Sequence, residues 1–413
     1  MLQVLERGND GRQWHTLIDK VFSPKTLKEA LKTVTARNGS PGVDGQTAQA
    51  VRTRWEEYTA LMERLLREGR YEPKPVRRVW IDKPGSREKR PLGIPTIRDR
   101  IVQTALLYVL EPVFEYSFHE HSYGFRPGRS ARQAVDRVEG LLSEGCTWVV
   151  DADIKGYFDN IPQDQLLARV KEKIADSRIL ALLEKFLKQG VMEGLNGWTP
   201  TESGTPQGAV ISPLLANIYL NPLDHSMDAQ GYKMVRYADD FVILCRTEAE
   251  AREALAKVQE WMKSAGLTLH PDKTRIVDAT VKGGFEFLGW HFERGYRWPR
   301  EKSQAKLKES IRGQTRRSEG RSLTTIIQAV NRRLRGWGNY FRGGGTRNSP
   351  AIDGWVRKRL RSILRKREKR KGCGHGRDHN RYPNVYFAAA GLITLQSITH
   401  PQPGTPRKRK ATG

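Results

Sequence analysis

Apolar positions along the chain alternate between two periods. Leu27, Ala30, Leu31 and Val34 recur at helical spacing, and a second helix is predicted over about residues 55–66. From Pro75 the pattern turns β-like: residues 76–81 and 89–95 predict two strands of a basic hairpin turning at Lys83-Pro84-Gly85-Ser86. A helix over residues 98–110 is expected to stop near Pro112, and Ser130 is placed to cap another running to about residue 142. Trp148-Val149-Val150 then runs straight into Asp151-Ala152-Asp153, with helical sequence beyond it to about Leu187. Ser212-Pro213 opens a further helix, continued by Ala216, Tyr219, Leu220 and Leu223. Val235 and the run Phe241-Val242-Ile243-Leu244-Cys245 predict two short buried strands with Ala238-Asp239 in the turn between them. A helix over residues 248–265 ends at Gly266, and strands are expected at 267–269 and 285–290. Past Lys302 the chain is largely helical, over residues 324–335 and 355–371, with an aromatic break at Gly336-Trp337-Gly338-Asn339-Tyr340-Phe341. Helices interleaved with hairpins predict an α/β architecture built on an antiparallel sheet.

Length adds that 413 residues form two or three domains with a sizeable core. Charge adds the partner. A formal charge of +26 fits a polyanion, because Lys and Arg contacts to phosphate supply most sequence-independent affinity for nucleic acid. The excess is uneven: residues 301–413 hold 28 Lys and Arg against 6 Asp and Glu. This predicts a near-neutral body followed by a nucleic-acid-binding module, with a basic tail at Pro406-Arg407-Lys408-Arg409-Lys410. No apolar run approaches a membrane span of roughly 18 to 20 residues, so no membrane partner is expected and the protein is read as soluble and cytoplasmic. Cys146, Cys245 and Cys373 are too few for a disulfide framework, and Cys373 with His375 and His379 lacks a fourth zinc ligand.

The chemistry concentrates where strands meet acids. Asp239 and Asp240 at a hairpin tip repel each other and lose hydration, unless something cationic neutralises them. A hard divalent cation does so, although a plain polar turn has the same composition. Asp151 and Asp153 alternate onto one face of the upstream strand, where one of them can complete such a site. Carboxylates that hold two cations roughly 3.5 to 4 Å apart serve phosphoryl and nucleotidyl transfer. Three loops have both a binding and a packing explanation. They are Asn38–Gly45, the aromatic and basic stretch from His121 to Ser130, and Ser203-Gly204-Thr205-Pro206-Gln207-Gly208. Lys83 and Arg90 on the basic hairpin suit a triphosphate, or simply water.

Taken in order, the motifs resemble those of the reverse transcriptase and maturase proteins encoded by bacterial group II introns. They are Gly42-Val43-Asp44-Gly45, Arg90-Pro91-Leu92-Gly93-Ile94-Pro95, Ser122-Tyr123-Gly124-Phe125-Arg126-Pro127, Asp153-Ile154-Lys155-Gly156-Tyr157-Phe158-Asp159, Thr205-Pro206-Gln207-Gly208, Tyr237-Ala238-Asp239-Asp240, Lys273 and Phe287-Leu288-Gly289. The resemblance spans about residues 25–395. It implies a right-hand polymerase whose fingers and palm contain an antiparallel palm sheet, followed by an α-helical basic thumb/maturase domain. The implied limits are 1–70 for an N-terminal helical extension of the fingers, 71–295 for fingers and palm, 296–395 for thumb and maturase, and 396–413 for the tail.

The same resemblance implies roles. Asp153, Asp239 and Asp240 would be catalytic and hold two Mg2+ ions, with Mn2+ able to substitute and the Ile154 carbonyl as a further ligand. Lys83, Arg90, Phe158, Gln207 and Lys273 would contact the nucleotide, Phe158 lying beneath its sugar and Lys273 meeting the departing pyrophosphate. Phe287, Leu288 and Gly289 would form a primer grip. The implied partners are intron RNA, an RNA template with a DNA or RNA primer, dNTPs and target DNA. Arg357, Lys358, Arg361 and Arg365, spread over a strongly basic helix, are the candidate RNA contacts. Ala209 stands where most relatives carry a second glycine. Only a short tail follows Tyr382–Phe387, without a Cys-pair and His-Asn-His nuclease segment, so DNA insertion is expected to use a nick, a replication fork or another nuclease. Two alternatives accompany this reading: a domesticated, retron-like or defence reverse transcriptase, and a non-catalytic RNA-binding splicing factor.

Overall fold

A computed structural model describes residues 13–82, 89–193, 197–199, 203–205, 208–318, 320–345, 349–371 and 376–399. The chain divides into two compact units between Val277 and Asp278. In the first, the central element is a four-stranded sheet with strand order β6-β7-β3-β8, formed by β3 (Trp148–Asp153), β6 (Lys233–Tyr237), β7 (Asp240–Cys245) and β8 (Arg275–Asp278). β7 runs antiparallel to both β3 and β6. Phe241 to Cys245 are all buried, so this strand is covered on both faces. The helices Glu248–Ser264 and Ala131–Ser143 pack against the sheet, through Ala251, Ala254 and Val258 and through Ala134, Val135 and Val138.

A second sheet has the order β2-β1-β4-β5, formed by β1 (Val76–Asp82), β2 (Lys89–Ile94), β4 (Val191–Glu193) and β5 (Gly197–Thr199). Here β1 is antiparallel to β2 but parallel to β4. In the helical segment before it, the helix Pro24–Ala36 has the Ser23 hydroxyl accepting from the Thr26 amide at 3.3 Å and buries Leu27, Ala30, Leu31 and Val34 as their spacing requires.

In the second unit, β9 (Phe285–Phe287), β10 (Trp290–Glu293) and β11 (Tyr296–Pro299) form an antiparallel sheet in the order β11-β10-β9. The helices Glu301–Gln314, Leu323–Tyr340 and Ser349–Arg367 enclose a separate core that includes Ile311, Val330, Leu334, Leu360, Ile363 and Phe387.

Four predicted elements differ. The helix Ile97–Glu115 passes through Pro112, because the proline lies in the last turn and buried Val113 and Phe114 hold that turn in place. The helix Leu323–Tyr340 absorbs the expected aromatic break, and its Gly338 lets Ile398 and Leu395 approach so closely that an added Cβ would lie 2.8 Å from Ile398. The run at 285–290 is two strands joined by Leu288-Gly289, both in left-handed conformation (φ 48° and 86°). Residues 267–269 form no strand but only a bridge between Ile154 and Leu269, and β8 begins further on. Cys373 and His375 lie outside the described residues.

Candidate active site

The β6–β7 turn is short and tightly held. Tyr237 pairs with Asp240, leaving Ala238 and Asp239 to reverse the chain. Ala238 has φ 61°, a left-handed conformation uncommon for a residue with a Cβ, so its surroundings must enforce it. Arg236, fully buried, does so by donating from Nη1 to the Ala238 carbonyl at 2.9 Å. The same Nη1 donates to Asn217 Oδ1 at 3.1 Å, while Nε donates to Asp224 Oδ1 at 2.7 Å and Nη2 bonds the other Asp224 oxygen. Asn217 in turn donates to the Gly124 carbonyl at 2.8 Å. Gly124 lies directly against the turn, where a Cβ would come within 2.3 Å of the Ala238 nitrogen. Sequence patterns do not single out Asn217, Asp224 or Gly124 for this role. The available signal is that Asn217 and Asp224, seven residues apart, share one face of the helix Ser212–Ala229.

The loop that carries Gly124 is anchored by packing. Arg126 is buried, with Nε and Nη2 on Glu115 Oε1 at 3.0 and 2.8 Å and Nη1 on the carbonyls of His119 and Ser122 at 2.6 and 2.7 Å. Phe125 remains exposed, its ring centroid 6.4 Å from that of Tyr237.

The carboxylates meet at one end of the sheet. Asp153, the last residue of β3, is the cross-strand partner of Asp240, the first of β7. Asp239 adjoins them, and burial first, then the Asp153 charge, push its pKa up, against the lowering influence of Arg90 and Lys273. Lys273 Nζ lies 2.5 Å from Asp153 Oδ2, and the Asp153 carbonyl accepts from the His270 amide at 2.8 Å. Asp151 is drawn elsewhere, to Arg275 Nε at 3.2 Å. The donors suit a hard divalent cation: they are carboxylate oxygens, and one of them is held back from ionising by burial and a like charge. Among the described residues no three His, Cys, Asp or Glu side chains converge as a ready-made cage, and an ammonium stands on Asp153.

Phe158, in the short helix Tyr157–Asn160, is partly buried beside Tyr157, with ring centroids 5.5 Å apart. Its carbonyl accepts from the Thr205 amide at 2.7 Å, and Gly204 (φ 79°) sits so close to Phe158 and Asp159 that a Cβ would clash with their backbone. On the far side of that loop the Val210 amide donates to Gln103 Oε1 at 2.7 Å. Gln207 between them and Lys83 on the basic hairpin lie outside the described residues. Arg90 is exposed on β2, opposite Ile81.

In the second unit Phe287 is buried, while the carbonyls of Leu288 and Gly289 accept from Tyr340 Oη at 2.7 Å and Ser303 Oγ at 2.9 Å. The four arginine and lysine candidates separate sharply. Lys358 is exposed and Arg357 half-buried. Arg361 is buried, donating to the Tyr382 carbonyl and Asn384 Oδ1, both at 2.9 Å. Arg365 donates to the Lys371 carbonyl at 2.6 Å and to Asp378 at 2.8 Å. A cleft of about 580 Å³ at the end of the same helix is lined by Arg317, Lys366, Lys369, Arg370 and Lys371. Of these, Arg370 also pairs with Glu368 and, at 3.0 Å, with Asp378; sequence alone does not separate the lysines of the cleft from the cations turned inward.

Residues 81–292 match the family described as reverse transcriptase (RNA-dependent DNA polymerase), which defines the class of the sheet and its acidic end. Residues 304–382 match the group II intron, maturase-specific domain. The chain belongs to the group II intron-encoded reverse transcriptase/maturase family, with a right-hand polymerase fold followed by a helical maturase region. It is similar to Protein YkfC of Escherichia coli (strain K12), at 34% identity over 76% of this chain and 91% of that protein. To the group II intron-encoded protein LtrA of Lactococcus lactis subsp. cremoris it is 44% identical over 41% of this chain, but that match spans only 28% of LtrA. Among solved structures, a chain of a partial Cas6-RT-Cas1--Cas2 complex is 26% identical, covering 60% of this chain and 42% of that one, with a TM-score of 0.39. Reverse transcriptases generally use divalent metals. Among the described residues no helix is long and apolar enough to cross a membrane.

Proposed function

We propose that this chain is an RNA-directed DNA polymerase that also binds group II intron RNA and assists its splicing and retrotransposition. The observation that carries the proposal is the pairing of Asp153 with Asp240, with Asp239 beside them and its carboxyl pushed up by burial and Asp153. Three acids so arranged beside a polyanionic substrate repel it unless cations intervene, which suits a metal-dependent enzyme and not a passive binding module.

Asp153, Asp239 and Asp240, with the Ile154 carbonyl, would hold the divalent ions, Mg2+ or Mn2+. Such ions, when bound, polarise the phosphoryl oxygens and favour ionisation of an attacking hydroxyl. Lys273 pairs with Asp153 and would turn to the pyrophosphate as it departs. Arg90 would pair with the triphosphate, and Phe158, backed by Tyr157 and by the loop at Gly204, would exclude a 2′-hydroxyl. Phe287, Leu288 and Gly289 would steady the primer. Lys358 and the cleft of Arg317, Lys366, Lys369, Arg370 and Lys371 would hold RNA phosphates.

The test compares Asp153→Asn and Asp239→Asn with the parent on a primed RNA template. Extension should fall at least about 100-fold while RNA affinity stays within about twofold, since the basic surface is untouched. A variant that still extends within about tenfold of the parent, ~1.4 kcal/mol of barrier, would remove the assignment.

A further inference from the structure

The second unit contains a cleft that neither the polymerase chemistry nor the phosphate contacts use. It has a volume of about 420 Å³ and lies where β11 faces the helices Glu301–Gln314 and Leu323–Tyr340. Tyr296 and Trp298 alternate onto one face of β11 and line it together with Trp337. Tyr296 is 71% exposed, far more than a packing role would leave it, and Trp298 is backed by His291 with ring centroids 4.7 Å apart. The polar side chains that line it are Glu293, Arg294, Gln304 and Ser349. Glu293 is fixed by the Gly283 amide at 3.0 Å and by His291 Nε2 at 3.3 Å.

A second cleft of about 400 Å³ shares Trp298 and Gln304 with the first and adds Glu301, Ala305, Lys308 and Arg312, so two cations outnumber one carboxylate there, with Arg312 also paired to Glu309 at 3.1 Å. Aromatic faces in one recess and cations in the next form the pair of surfaces that single-stranded nucleic acid uses, bases stacking in the first and phosphates pairing in the second. A carboxylate at the edge of the aromatic recess turns phosphate away and accepts from an exocyclic amino group.

We propose that the cleft of Tyr296, Trp298 and Trp337 receives an unstacked nucleobase of single-stranded RNA, with Glu293 favouring bases that carry an amino group and Lys308 and Arg312 taking the adjoining phosphate. The proposal rests on the reading of this chain as an RNA-binding protein, and it adds a base-contacting site to the phosphate contacts.

The probes are adenine- and uracil-containing single-stranded oligoribonucleotides, one carrying 2-aminopurine, whose fluorescence falls on stacking, titrated into the full chain. Tyr296→Ala should weaken binding of the adenine oligomer about tenfold and abolish the quenching, while Tyr296→Phe keeps both. The slope of log affinity against log salt should not change, because every cation that pairs with phosphate remains in place. Glu293→Gln should narrow the preference for adenine over uracil. Thermal melts matching the parent establish that Tyr296→Ala is folded. Unchanged affinity and quenching in Tyr296→Ala overturn the proposal and leave RNA binding standing, as does weaker binding with a shallower salt slope, which marks a backbone contact. A parent chain that binds neither oligomer overturns both.

Discussion

Arg236 and Asp224 form an ion pair with both side chains withdrawn from water, at 0% and 3% exposure, and the free edge of that guanidinium holds the carbonyl of Ala238. The pair connects the helix Ser212–Ala229 to the turn that presents Asp239 and Asp240. Removing one partner leaves a buried charge uncompensated, so Asp224→Ala should lower unfolding free energy by roughly 3 to 5 kcal/mol. Denaturant unfolding checks this. Arg236→Lys, which keeps the charge but not the fork, should lose less stability and still reduce primer extension, because an ammonium cannot reach Asp224, Asn217 and the Ala238 carbonyl together.

Asp239 gives a pH dependence of definite sign. Its folded pKa lies above the ordinary carboxylate value, because of burial and the Asp153 charge, so the native state holds its proton more tightly than the unfolded chain does. Stability from this group is therefore present in acid and lost as pH rises from the ordinary carboxylate range through the raised value. Asp239→Asn, which stays neutral, should melt at a higher temperature than the parent in metal-free buffer at about pH 7 to 8, and the difference should shrink towards about pH 4. Thermal melts with chelator test it. Adding Mg2+ should favour the parent, since only the carboxylate gains from the cation.

Phe158→Ala should raise ribonucleotide incorporation relative to deoxynucleotide by about tenfold or more, a discrimination of ~1.4 kcal/mol. The ring's neighbours, Tyr157 and the backbone around Gly204, are held independently, so the space it vacates should remain open. Single-nucleotide extension with paired dNTP and rNTP substrates measures the ratio. Unchanged discrimination would remove Phe158 from the sugar position.

The basic helix Ser349–Arg367 and the turn that follows it should divide into two functions. Replacing Lys358, Lys366, Lys369 and Lys371 by Gln should weaken RNA binding and flatten its salt dependence, by roughly 0.7 to 0.9 in log-log slope for each phosphate no longer neutralised. Arg361→Gln should leave the slope unchanged and lower the melting temperature, because its hydrogen bonds to Tyr382 and Asn384 join this helix to the segment that follows. Salt titrations and melts on the same variants separate the two.

How much was legible in the sequence follows from the range of each interaction. The run Trp148–Val150 into Asp153, the buried strand from Phe241 to Cys245 and the hairpin turn between Val235 and that strand are local patterns, and the α/β class and the acidic hairpin came from them. The ordered motifs extended this to the family, confirmed by the matches over residues 81–292 and 304–382. The limits of the helices were less readable, since Pro112 and Gly336–Tyr340 are breakers by propensity and helical only because Val113, Phe114, Leu395 and Ile398 pack there.

By itself the sequence determined which acids, aromatics and cations were present and on what kind of element each would lie, because side-chain period and turn chemistry act over a few residues. Tertiary structure alone decided that Asp153 stands opposite Asp240, and that Gly124, Asn217, Asp224 and Arg236 close around one turn. It also decided that Arg361 turns inward while Lys366 and Lys371 line a cleft. Those outcomes depend on strand register and helix packing between segments far apart in the chain, where a buried polar group takes whichever partner the fold brings to it.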